Sequence, residues 1–132
     1  MSYDLLVFEP AAVPIEREAF QAWYDAFMQW DGAWNYNDPA VCSPALQRWE
    51  AGMRRRFWVL NGPHRSRSGA WLRPSDSMDL ACAPTAIYAG FSWSRAEVAH
   101  GLALDLARRH GVGFYDVSGD GGVWRPDVAP RP

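Results

Sequence analysis

Lysine is absent from this chain: all thirteen of its basic side chains are arginine, set against fifteen acids. That bias fits a GC-rich coding sequence as well as it fits any chemistry. The formal charge of −2 leaves no excess of either sign, so neither nucleic acid nor an anionic membrane is the default partner. Cysteine is scarce. Cys42 and Cys82 lie far apart with no C-x-x-C, and in a reducing cytoplasm they are expected as small buried thiols. No window approaches the ~20 apolar residues of a membrane span. The opening from Met1 to Phe8 has no basic leader or small-residue cleavage site, so no signal peptide is expected and the compartment expected is the cytoplasm. There is no internal repeat.

Bulky apolar material is plentiful. Of 132 residues, 48% are hydrophobic, and eight Trp, six Phe and five Tyr can fill one core without a disulfide or metal. The length suits a single domain, placed at 1–126, with a frayed tail at 127–132.

Tyr3 to Phe8 predicts a first strand whose apolar run, Leu5 to Phe8, suits a central position. Pro14 opens a helix with Glu16 and Glu18 in its first turn, and Phe20, Trp23, Phe27 and Trp30 form its aromatic stripe. Ser43-Pro44 starts a second helix, with Leu46, Trp49, Met53 and Phe57 on one side, stopped by Asn61-Gly62-Pro63. From His64 to about Asp79 no periodicity survives, which predicts a long loop. Met78–Ala83 and Thr85–Trp93 read as strands. Ser94 to Glu97 reads as a capping box opening a third helix that ends at Gly111. Val112–Ser118 and Val123–Trp124 complete the set around a glycine-rich turn. The order β-α-α-β-β-α-β-β predicts an α+β two-layer sandwich: three helices on a small, mainly antiparallel sheet, a ferredoxin-like variant.

Chemistry-bearing patterns are sparse. His100 and His110 project about 80° apart on one helix and His64 lies in the loop, so no zinc site, and no metal or cofactor, is expected. Asp25, Asp31 and Asp38 recur at wide spacing; two of them could meet in a cleft for acid–base work, but solvated helix and turn acids are the expectation. Ser43 and Ser94 read as helix caps, outside any G-x-S-x-G turn. The strand from His110 to Val117 loosely echoes the base-stacking strand of RNA-recognition folds. It follows the wrong element for that role, and Asp116 stands where an apolar or neutral residue belongs. The chain is not expected to be an enzyme. A small enzyme acting in a cleft between helices and sheet is the alternative, ahead of a nucleic-acid-binding module.

Two features suit binding. Trp30, Asp31, Trp34, Asn35, Tyr36, Asn37 and Asp38 crowd aromatics and acids where the first helix ends; they either anchor a basic partner or plug the edge of the core. Arg54, Arg55 and Arg56, with Arg65, Arg67 and Arg73, form a basic run that is either a solvated face or a contact for an acidic partner.

Several stretches are similar to a group of small bacterial proteins. They are the start Met-Ser-Tyr-Asp-Leu-Leu-Val-Phe-Glu-Pro, Asn61-Gly62-Pro63, Tyr88 to Ser94, Gly111 to Asp120 and Val123 to Pro126. Some members of that group are encoded beside polymorphic toxins, including those delivered by type VI secretion or of the Rhs type. The resemblance implies an immunity protein that binds a cognate toxin domain and occludes its active site. It brings no catalytic residues with it. Asp31, Trp34, Tyr36, Asp38 and Trp71 are the toxin-contacting residues expected on this reading, with no nucleic-acid or membrane partner.

Overall fold

Alternation along the first strand sets the layout. In the computed structural model, which describes residues 2–65 and 73–128, β1 spans Ser2–Phe8. Leu5 and Val7 point to one face, Leu6 and Phe8 to the other, and all four are fully buried. The strand is therefore covered on both sides over its second half.

Helix α1, Arg17–Phe27, starts later than Pro14 because Glu16 is the cap. Its carboxylate accepts from the backbone N–H of Glu18 (3.0 Å) and Ala19 (2.9 Å). Helix α2, Pro44–Met53, starts as its sequence predicts, with Ser43 Oγ accepting from Leu46 N–H at 3.4 Å. Then comes β2, Trp58–Val59, which no periodicity could reveal in two residues. The loop expected to Asp79 is shorter: Pro74–Asp76 makes a 3₁₀ turn and β3, Ser77–Ala83, follows at once. Strand β4 is Ala86–Ser92.

The capping box at Ser94 does not form. Trp93–Arg95 makes a 3₁₀ turn, Ser94 Oγ lies 3.0 Å from Ser92 Oγ, and helix α3 runs Ala96–His110. Its entry is fixed instead by Arg95, whose Nε donates to Asp76 at 2.8 Å. Gly111 ends it in the left-handed region, φ 72°. Strand β5 is only Gly113–Tyr115, because Asp116 leaves the ladder to close a turn: Gly121 N–H donates to its carbonyl and Asp120 N–H to its carboxylate. Strand β6 is Val123–Trp124.

The architecture is α+β: three helices and, among the described residues, a six-stranded open sheet in the order β2-β3-β4-β1-β5-β6. Only the β2–β3 pair is parallel. The helices are not confined to one layer, as the two-layer sandwich expected. Helices α2 and α3 pack together on the Leu5/Val7 face, joined by Trp49 Nε1–H to Ala103 carbonyl at 3.1 Å. On the other face lies α1, packing Phe20, Trp23 and Phe27 over Leu6 and Phe8. The reason is stereochemical: β1 alternates two apolar sets, and each set demands cover.

Candidate functional site

One face of the sheet is only half covered. Helix α1 lies over Leu6, Phe8, Ala86 and Tyr115, leaving the opposite end of that face bare. The register brings Ser2, Asp4, Tyr88, Gly90, Ser77 and Asp79 to this end, as alternate residues of β1, β4 and β3. They line a groove of about 550 Å³, walled by Trp30, Asn37, Leu60 and Asn61.

Its floor is a row across three strands. Asp4 pairs with Gly90, and Gly90 with Asp79. Two ladder spacings put the outer Cα atoms about 10 Å apart. Each carboxylate thus stands on its own strand with the Gly90 strand between them. Gly90 keeps the space between them low: a Cβ there would lie 3.1 Å from Asp4 Oδ1. The Asp4 carboxylate is held by two hydroxyls, Ser2 Oγ at 2.5 Å and Tyr88 Oη at 2.6 Å. Burial pushes the Tyr88 phenol up, and its bond to Asp4 and that carboxylate's charge push it further, so Tyr88 stays a donor near neutrality. Asp79 is exposed.

The wall is aromatic and strained. Trp30 has φ 55°, the one non-glycine residue in the left-handed region among those described. Its ring stands edge-on to Phe27 (5.1 Å), Tyr36 (5.4 Å) and Tyr88 (5.9 Å). Tyr36 in turn meets Trp34 at 5.5 Å and accepts Gly32 N–H at its hydroxyl, 2.7 Å. This segment is tied to the sheet by Cys82 N–H donating to Tyr36 carbonyl at 2.6 Å. Asn61 adds a second tie. Its amide donates to Leu80 carbonyl and Asn37 Oδ1, both at 2.7 Å, and accepts Leu80 N–H at 3.1 Å.

No family model, curated protein or solved structure matches this chain.

Of the residues singled out by sequence, Tyr36 and Trp34 join this wall, and Trp34 remains 38% exposed, open to a partner. Asp31 is exposed beside it, outside the groove lining. The half-buried Asp38 caps the following 3₁₀ turn, its carboxylate accepting Ala40 N–H at 2.9 Å. Trp71 lies outside the described residues, as do 129–132 of the expected tail. Sequence reasoning missed Asp4, Asp79, Tyr88 and Gly90. Their signal was the shared parity of Ser2/Asp4, Ser77/Asp79 and Tyr88/Gly90/Ser92, legible only once the strands are set in register.

The histidines are dispersed. His64 Nδ1 sits 3.2 Å from the buried Glu50, which Arg54 also pairs. His100 Nε2 is 3.7 Å from Asp116, whose other oxygen takes the Tyr3 hydroxyl at 2.6 Å. His110 ends α3. No cluster among the described residues could hold a metal ion. Both cysteines are buried; contact with Cys42, then burial, pushes the Cys82 thiol up and keeps it protonated. No helix among the described residues is long and apolar enough to cross a membrane.

With two acids on a flat floor, no cation among the lining residues and an indole at the edge, the groove suits recognition of arginine or lysine side chains. The carboxylates supply charge-assisted hydrogen bonds, and the partly exposed Trp30 indole gives apolar contact beside them.

Proposed function

We propose that this chain is an immunity protein, which binds a basic surface of a cognate toxin domain on its uncovered sheet face and so blocks the toxin. The observation that carries the reading is the Asp4–Gly90–Asp79 row beside the Trp30–Tyr36–Trp34 wall. Binding that needs no chemistry from the binder asks for rigid anchors and fixed charge, and this face supplies both. A stable pair buries on the order of 1,600 Å², more than the groove alone, so the loop from Trp30 to Asp38 belongs to the contact. We also read the topology as ferredoxin-like. Strands β1, β3, β4 and β5, in the order β3-β4-β1-β5 with α2 and α3 crossing one face, follow the split β-α-β pattern, and α1 is an addition on the other side.

Co-expression with any toxin domain encoded by the neighbouring genes is the test. The wild-type chain is expected to co-purify with the toxin and restore growth, and Asp79→Arg with Trp30→Ala to weaken binding at least about tenfold. Full protection by a folded double variant would defeat the reading of this face. Absence of any complex with the wild-type chain would defeat the immunity role.

A further inference from the structure

The outer seam between α2 and α3 gathers charge of the opposite sign. Arg48 on α2, Arg55 just beyond it, and Arg109 and His110 in the last turn of α3 line a groove of about 450 Å³. Leu102 and Leu106 form its apolar floor. Arg56 also borders it but is engaged by Asp76 at 3.1 Å. Among the described residues, Arg48, Arg55 and Arg109 make no ion pair and no acid lines the groove. The helices can meet this closely because Gly52 has no side chain: a Cβ there would lie 2.8 Å from Leu106 Cδ2.

Like charges held together raise the energy of the free molecule, and here no acid in the lining offsets them. Burial first, then Arg48 and Arg109, holds the His110 imidazole below its usual range. We propose that this seam docks an acidic segment of a partner protein, its carboxylates on Arg48, Arg55 and Arg109 and an apolar side chain on Leu102. The leucine floor decides between anionic partners. A phosphate backbone would leave that floor unused, whereas a peptide alternating acidic and apolar residues satisfies rim and floor together. The seam lies on the helical side of the sheet, away from the Asp4–Asp79 groove, and its occupancy is independent of the immunity reading.

Fluorescence anisotropy with a labelled glutamate–leucine peptide tests this on the full chain in low salt. Saturable binding is expected to the wild type. Arg48→Glu with Arg109→Glu should weaken it at least about tenfold, while Arg17→Glu, a like charge change on α1, alters it less than about twofold. A glutamate–serine peptide should bind at least about fivefold more weakly, since it leaves the floor bare. Should the double variant melt early, Arg48→Gln and Leu102→Ser are the milder probes, each expected to weaken binding. No saturable binding, an equal loss in Arg17→Glu, indifference to leucine, or displacement by a tighter-binding DNA duplex would each overturn the proposal.

Discussion

Three backbone carbonyls near the start of the chain converge on one guanidinium near its end. Arg125, 7% exposed, donates to Pro14 at 2.9 Å, Pro10 at 2.6 Å and Val13 at 3.0 Å, and lies over the Phe8 ring at 5.4 Å. Asp127 closes the pair at 3.0 Å, and that bond holds its carboxyl below the usual range. Nothing in Trp124-Arg125-Pro126 marks this role, because an isolated arginine reads as solvent-exposed and its partners are remote in sequence. Arg125→Met keeps the bulk but orphans the carbonyls. It should cost about 3 kcal/mol, or roughly 10 °C in melting temperature, with Arg125→Lys recovering less than half. A loss below about 1 kcal/mol in urea unfolding would show that water takes over those carbonyls. Asp4 was equally illegible: one acid inside a predicted strand gives no sign of its partners until Tyr88 and Ser2 are seen to hold it.

Helices and strands declared themselves where their pattern was long. The Phe20, Trp23 and Phe27 stripe of α1, the Ser43 cap of α2 and the Gly111 stop of α3 could each be read, because local stereochemistry sets them; Trp30, expected on the same stripe, lies beyond the helix end at φ 55°. Which side of the sheet α1 takes could not, since Phe20 and Trp23 would fit either apolar set of β1. The Ser94 box failed because Ser94 sits inside the Trp93–Arg95 3₁₀ turn, where Arg95 meets the remote Asp76. At the far end of α3 the same kind of non-local contact yields a pH effect. His110 has a folded pKa depressed by burial, then by Arg48 and Arg109, while its unfolded value stays near the ordinary ~6.5. Below about pH 6.5 the unfolded chain therefore binds the extra proton first, and stability drains away as pH falls through the folded pKa. Between about pH 7.5 and 5.5 the wild type should lose more unfolding free energy than His110→Gln, all other groups being common to both. Equal losses in paired urea titrations would mean that His110 titrates alike in both states.

At the scale of the molecule, a formal charge of −2 hides a division that composition could not disclose. Acids floor the groove on one side of the sheet, and uncompensated arginines rim the helical seam on the other. The layers explain why both can persist. The two grooves lie on opposite faces of the sheet with packed layers between them, and at 0.15 M salt, where the screening length is ~8 Å, exposed charges on one are largely screened from the other. The two surfaces should therefore act separately at that ionic strength, and Arg48→Glu with Arg109→Glu should leave the affinity of a basic partner at the Asp4–Asp79 groove within about twofold. At about 0.01 M salt the screening length grows to ~30 Å and spans the domain. There the same double variant, four units more negative than −2, should speed association of that partner several-fold without slowing its release, since long-range steering acts on the encounter. Stopped-flow rates at the two salt concentrations make the comparison. A change in release rate, or a large effect at 0.15 M, would mean that the sheet transmits the seam's state to the groove by packing rather than by field.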